Sequence, residues 1–451
     1  MQSERVISSP IHFRPITLTD RELFEQIVQP SSCRNCDMSL ANIYCWQDTY
    51  HSAIAKWGES LLVRFIDDRG EVAYMQPIGE CSKRDVIAAL IADARALGVP
   101  LRLFGLNQEW REYLAGGSIG QFAFSQSENN SDYIYLSSDL ALLPGRKYQP
   151  KRNFINRFTG RYNYRFEQIN SQNIADCKAV NSEWREQKHI SPLEAEQLAV
   201  GRLFDAFETL PVEGWILYAD GKACAFSVGS QVNHDTFAIH VEKTNSEVEG
   251  AGAMINYLVA NSLQHRYKYI NREDDLGVEG LRKAKQSYYP VELLAKHSAL
   301  LLTDTECEIR DLWHRVFGDD RVLIDDFLVR LYDATLCFTS KRETKVVSML
   351  HVVPLQSEER KIAYIYAVAT DEEWREKGIA SQLINRALKS IDEDEYQYTV
   401  LIPSDSKTAR FYTKFGFEHS GKLFDFSEFG IDYDLGTGDS NQNFAMIRRK
   451  C

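Results

Sequence analysis

Two short stretches of the chain combine residue types that would hold an anion and work on an amine. The first is Arg375-Glu376-Lys377-Gly378-Ile379-Ala380, set between a strand-like run at 364–370 and an amphipathic run at 381–391. A glycine turn in that place gathers unpaired backbone N–H groups at the positive end of a helix dipole, a setting that favours a pyrophosphate. Further on, Ala409-Arg410-Phe411-Tyr412-Thr413-Lys414-Phe415-Gly416-Phe417 puts a tyrosine at the end of a helix that leads into another strand. The second stretch runs from Asn271 through Arg272, Glu273, Asp274 and Asp275 to Lys283 and Lys285. Carboxylates at a strand end with cations close by would bind and deprotonate an incoming amine. The same residues also fit a solvated helix, with acids in its first turn and bases in its last.

Other candidate groups have two readings as well. Arg146, Lys147, Lys151, Arg152, Arg157, Arg161 and Arg165 are interleaved with Tyr148, Phe154, Phe158 and Tyr162. Such interleaving suits a tRNA acceptor end, with cations for phosphates and rings for bases. The spacing of Phe154, Ile155 and Phe158 equally suits a buried helix face with its charges outward. His351, within Ser348-Met349-Leu350-His351-Val352, is either a base acting through a water or a hydrogen-bonded core histidine. Cys33-Arg34-Asn35-Cys36 has metal-knuckle spacing, with Cys45 and His51 following, but a second Cys-x-x-Cys is missing. The expectation is structural thiols and no metal.

These groups need elements to position them, and hydrophobic periodicity supplies three blocks of similar size. In the first, residues 12–16, 60–66, 72–78 and 101–106 read as strands and 83–97 as a helix, the alternation of a mixed α/β layer. A loop at Leu143-Pro144-Gly145 opens the second block. It reads as strand 162–168, helices 173–187 and 193–209, strands 214–218, 223–229 and 236–241, helix 251–264, strand 267–271, helix 278–285 and strand 291–301. The third block repeats that order, with helices 306–317 and 323–332, strands 334–339, 346–354 and 362–370, helix 379–391, strand 397–402, helix 406–415 and a terminal pair. Residues 298–302 fit either the end of the second block or the start of the third.

The loop at 375–380 and the segment at 409–417 resemble the acyl-CoA loop and the later Ala-x-x-Phe-Tyr-x-x-x-Gly-Phe segment of the GNAT N-acetyltransferases. The resemblance implies that Arg375, Lys377, Gly378, Ile379 and Ala380 hold the pyrophosphate of acetyl-CoA, with Val368, Ala369 and Thr370 along the pantetheine arm. It further implies direct attack of an amine on the thioester, with Tyr412 protonating the departing thiolate and His351 as the candidate base. Tyr364 stands where some members carry a glutamate. In the second block the matching position reads Glu247-Val248-Glu249-Gly250-Ala251-Gly252. Carboxylates facing a pyrophosphate repel it by about 1 kcal/mol or more per pair, so CoA is expected in the third block alone.

The segments at 151–158 and 271–296 look like the C-terminal domain family of phosphatidylglycerol lysyltransferases, a tandem GNAT-like unit related to the Fem peptidyltransferases, over roughly residues 10 to 300. Together the two resemblances imply an α/β (α+β) fold of three consecutive GNAT-like mixed-sheet units, the first two forming a pseudo-duplicated tandem. The expected boundaries are 1–143, 144–302 and 303–451. The second resemblance also implies aminoacyl transfer from charged tRNA, and a polar substrate site built from Arg152, Arg272, Asp274, Asp275 and Lys285. Unlike the lysyltransferases, this sequence has no transmembrane portion.

At 451 residues the chain is too long for one core, and with 44% hydrophobic and 26% charged residues it reads as an ordinary globular protein. No apolar run approaches the roughly 18 residues that span a bilayer, and the first residues lack the apolar core of a signal peptide. A cytoplasmic protein with reduced thiols is the expectation. The net charge of −12 argues against DNA as a partner. The leading expectation is thus an acetyl-CoA-dependent N-acyltransferase acting on a small-molecule or peptide amine. An aminoacyl-tRNA-dependent transferase and a non-catalytic nucleotide- or peptide-binding protein are the alternatives.

Overall fold

The runs richest in β-branched and aromatic residues become the longest strands among the described residues: Lys222–Gln231, Thr236–Thr244, Lys345–Gln356 and Lys361–Thr370. The computed structural model describes residues 11–188, 194–357, 360–421, 426, 429 and 445–449. It divides into two compact units, Met1–Ile119 with Gln126–Ala299, and Gly120–Ser125 with Leu300–Cys451. The strand His297–Leu301 carries the chain from the first into the second.

The first unit holds two mixed sheets. In one, Arg14–Pro15, Ala53–Trp57, Ser60–Ile66 and Val72–Met75 run antiparallel in that order, and Arg102–Leu106 joins parallel to the last. In the other the order is Glu292–Leu294, Asp132–Leu136, Tyr269–Asn271, Thr236–Thr244, Lys222–Gln231, Val212–Ala219, Tyr164–Gln168. A boundary at residue 143 thus leaves Asp132–Leu136 on the wrong side of its own ladder. That strand pairs antiparallel with both Tyr269–Asn271 and Glu292–Leu294. One core spans both halves: Ile16, Ile54 and Leu61 cluster with Cys177, Leu203, Phe204 and Phe226.

The second unit is a six-stranded sheet, ordered Cys337–Arg342, Lys345–Gln356, Lys361–Thr370, Tyr398–Leu401, Met446–Arg449, Glu418–His419. Helices Asp304–Phe317 and Arg321–Arg330 cover one face through Trp313 and Phe327, and Ile379–Glu393 covers the other through Leu383, Ile384 and Ala387. Burying each large apolar side chain stabilises by about 1.5–3 kcal/mol. The early segment belongs here because Arg310 donates to the carbonyl of Phe122 (3.3 Å) and Ser125 to Asp326.

In each unit a parallel pair comes apart partway along. Lys361–Thr370 pairs with Tyr398–Leu401 only from Ile362 to Tyr364, and Thr236–Thr244 with Tyr269–Asn271 only from Thr236 to Ala238. Both longer strands then carry a bulge in their antiparallel ladder, at Ala367 (φ 50°) and at His240. The splayed end of each pair is where a ligand can reach backbone N–H groups.

Candidate functional site

In the second unit the splay opens beside the turn 375–378. Gly378 has φ 76° and caps the 15-residue helix Ile379–Glu393. The N–H groups of the first turn have no partner within a helix, and nothing lies within 4 Å of where a Gly378 side chain would begin. Arg375 reaches back to the carbonyl of Thr370 (3.3 Å), while Lys377 donates to that of Glu373 (2.8 Å) and lies over the Trp374 ring. The result is an open, basic-flanked helix N-terminus next to Val368, Ala369 and Thr370, whose side toward Tyr398–Leu401 is past the end of that pairing, and this fits a pyrophosphate with an extended arm.

Tyr412 ends the helix Ser406–Tyr412 and packs against Phe411 and Phe417, with ring centroids 5.4 and 6.0 Å away. Burial raises its phenol well above the ordinary range, so it keeps its proton at neutral pH. His351 lies elsewhere in character. Its ring packs among Trp313, Phe327 and Tyr332 at 5.5, 5.0 and 5.8 Å, and burial pushes it down to about 3. Its Nε2 finds no hydrogen-bond partner among the described residues. That placement favours a neutral core histidine over a base.

The matching turn in the first unit is closed. Gly250 has φ 86°, and a Cβ there would meet the Phe154 carbonyl oxygen at 2.6 Å and Phe158 at 3.1 Å. Helix Gln149–Arg161 fills the space that is open at Gly378, and Arg157 pairs with Glu249 at 2.7 Å.

What the first unit does build is a polar cluster around the turn after Tyr269–Asn271. Asn271 bonds Asp132 (2.8 Å) and the Arg34 carbonyl (2.9 Å), and accepts the N–H of Glu273 (2.7 Å). The ammonium of Lys285 donates to the carbonyls of Arg272 (2.6 Å) and Asp274, pinning the turn from inside. Asp275 is saturated by Tyr133 (2.6 Å), Arg282 (2.8 Å) and the N–H of Gly277 (2.9 Å), and Arg282 foremost holds it down to about 2. Arg272 pairs with Glu242 (2.9 Å) and lies over Tyr288. At the centre, Lys296 sits 2.7 Å from Asp132, 3.0 Å from Asp37 and 3.5 Å from Asp274. Burial would lower the Lys296 ammonium, but Asp132 and Asp37 hold it well above the ordinary range. Burial pushes the Asp274 carboxyl the other way, up to about 7. Asp37 is the more exposed carboxylate of this cluster, at 40%, whereas Asp274, about one-fifth exposed, is the one that burial brings near neutrality.

Residues 29–299, more than half of the chain, match the family model described as phosphatidylglycerol lysyltransferase, C-terminal. The chain belongs to that family. In it the lysyltransferase-type region is followed by an acetyltransferase (GNAT) domain, matched over residues 301–420. Among solved structures, a conserved protein of unknown function from Bacteroides thetaiotaomicron is 39% identical with a TM-score of 0.63, covering 65% of this chain and 100% of its own. L-PGS from Bacillus licheniformis is 16% identical with a TM-score of 0.47, over 65% of this chain and 94% of that one. The GNAT N-acetyltransferase YhbS from Escherichia coli, solved with CoA, is 19% identical with a TM-score of 0.26, over 33% and 78%. No curated protein matches the sequence.

Within the lysyltransferase-type region, the turn gathers Arg272, Asp274, Asp275 and Lys285. Arg152 is elsewhere: it bonds the carbonyls of Leu143 and Gly145 (2.8 Å) and the Gln149 side chain (2.6 Å), closing the bend before its own helix. Successive helical residues point about 100° apart, and it is Lys151 that donates to Ser287 (2.6 Å) and stands 3.8 Å over Tyr288, beside Arg272. Burial and Arg272 bring the Lys151 ammonium down to about 8. Asp37, Asp132 and His240 have no motif to announce them, and Lys296 ends the segment 271–296 that carries the family resemblance without a role being marked for it. In the GNAT domain the residues 368–370 and 375–380 fall on one splayed edge and one helix start. Among the described residues no helix is long and apolar enough to cross a membrane.

Proposed function

We propose that the GNAT domain transfers an acetyl group from acetyl-CoA to an amine. The observation that carries this is the contrast between the two glycine turns, open at Gly378 and filled at Gly250. The N–H groups from Gly378 to Ala380 and the Arg375 side chain would hold the pyrophosphate. The edge from Val368 to Thr370, beyond the bulge at Ala367 and past the end of the parallel pairing with Tyr398–Leu401, would run along the pantetheine arm and offer an N–H to the thioester carbonyl. Acetyl-CoA supplies an activated thioester; Tyr412 supplies the proton that the thiolate takes up. Calorimetry of the full chain with acetyl-CoA tests the reading. Binding that is lost in Gly378→Glu, with the fold retained, is the expected result; a wild-type chain that gives no binding heat overturns it.

A second transfer reaction in the lysyltransferase-type region is favoured by one observation, the Asp274 carboxyl brought to about 7 beside Lys296. A carboxylate poised there would take the proton from an amine as it attacks an aminoacyl ester of tRNA. Its test is retention of charged tRNA on a filter by the wild-type chain, and transfer activity that Asp274→Asn removes while acetyl-CoA binding persists.

A further inference from the structure

The bulge at His240 has a chemical consequence that neither transfer reading uses. Gly229 pairs with Ile239 and Val228 with Val241, so His240 is the extra residue in its strand. Its Nε2 lies 2.7 Å from the Ser230 hydroxyl, and its Nδ1 lies 2.9 Å from a carboxylate oxygen of Glu273. The Ser39 hydroxyl is more distant, at 3.4 Å, and already accepts the N–H of Asn42 as a helix cap. Glu273 is held in place by a backbone that few side chains adopt, φ 58°, with its N–H on Asn271 (2.7 Å) and its carbonyl on the N–H of Tyr133 (3.0 Å). Hydroxyl, imidazole and carboxylate thus stand in a row, each within hydrogen-bond reach of the next. That row is the arrangement by which a serine becomes a nucleophile.

Ser230 also lines a pocket. A cavity of about 10 Å³, near the room that one water needs, is walled by Phe24, Val28, Met38, Ser39 and Leu40 together with Ser230. Arg21, Glu25, Gln29 and Gln231 line it too, so the walls are as polar as they are apolar, and the small volume limits the group admitted beside Ser230 to a short one.

We propose that Ser230, His240 and Glu273 form an activated serine that accepts a short acyl group from an ester. The Ser230 oxygen bonds to the ester carbonyl carbon as the carbon–oxygen bond to the alcohol breaks. The serine proton passes to His240 Nε2 and from there to the departing alcohol, while Glu273 holds the imidazolium. Water then releases the acid by the same path in reverse. Ser230 belongs to the first unit and the turn at Gly378 to the second, so the outcome for this serine does not depend on acetyl-CoA binding.

The experiment is labelling of the full chain with an alkyl fluorophosphonate, followed by peptide mass spectrometry. In that reaction the Ser230 oxygen bonds phosphorus, fluoride leaves and His240 takes the proton. The expected result is an adduct on Ser230 of the native chain, absent after denaturation, and formed at least about 10²-fold more slowly in His240→Gln, the size of a general-base contribution. No adduct on Ser230 in the native wild-type chain overturns the proposal, and that arm requires no variant to fold. So does an adduct that forms equally fast in a folded His240→Gln chain. A burst of nitrophenolate from p-nitrophenyl acetate, lost in Ser230→Ala, gives the same answer for an ester.

Discussion

The Lys296 ammonium and the Asp132 carboxylate meet at 2.7 Å in a place where Asp132 has no exposed surface at all. A charge buried that completely depends on its partner, because removing one member leaves the other without solvent or counter-ion. Lys296→Met is therefore expected to destabilise the chain by about 3–5 kcal/mol. Lys151→Met, which removes a hydrogen bond to Ser287 at a part-exposed site, should cost only about 1 kcal/mol. Urea denaturation of the two variants separates these values, and equal midpoints would show that the Lys296 pair is not the structural pivot.

Asp274 sets a pH dependence whose sign follows from its raised carboxyl. An unfolded aspartate releases its proton near pH 3.9, whereas the folded one holds it up to about 7. Between those values the folded chain binds more protons than the unfolded one, so this residue makes stability fall as pH rises, levelling off above about 7. Asp274→Asn should flatten that slope between pH 5 and 7. Parallel stability curves for variant and wild type would place the titration elsewhere.

The two glycine turns predict opposite tolerance to a methyl group. At Gly250 an alanine meets both a left-handed backbone and the Phe154 carbonyl oxygen at 2.6 Å, together costing about 2–5 kcal/mol. Gly378→Ala meets the backbone cost alone, about 1–2 kcal/mol, since nothing lies within 4 Å. Thermal melts of both variants test this. Matching losses would mean that the helix Gln149–Arg161 does not close the first turn.

Tyr412→Phe keeps the ring contacts with Phe411 and Phe417 and removes only the proton donor. Acetyl transfer should slow by roughly 10²-fold, with the acetyl-CoA KM little changed because ground-state binding is intact. Steady-state release of CoA thiol measures it, and an unaltered kcat would make the tyrosine a packing residue.

The third block was legible because its signals are local: a strand, a glycine turn and a helix follow one another within about thirty residues, and periodicity locates each. The turn 272–275 was legible for the same reason. Asp132 and His240 were not, because their neighbours come from strands far apart in sequence, and Lys296 stood in the segment 271–296 without its partners Asp37 and Asp132 being legible. Nothing in a single sequence records that Asp132–Leu136 crosses into the later sheet. Arg152 and Lys151 differ by one helical step, so their composition looks alike and only the helix rotation tells which faces Tyr288. His351 sits in an apolar run, and its ring neighbours Trp313 and Phe327 arrive from helices that a strand pattern does not reveal.

The placement of Asp132–Leu136 between Tyr269–Asn271 and Glu292–Leu294 also sets a timetable for a ribosome. The strand emerges early, yet both of its ladder partners are still unmade. At 5–20 residues per second, translation leaves it waiting on the order of ten seconds. During that interval an apolar strand containing Tyr133, Ile134 and Tyr135 presents two open edges. Nascent chains of this protein should accordingly lean on a ribosome-associated chaperone, and stalling translation before residue 294 should yield aggregates instead of a folded half.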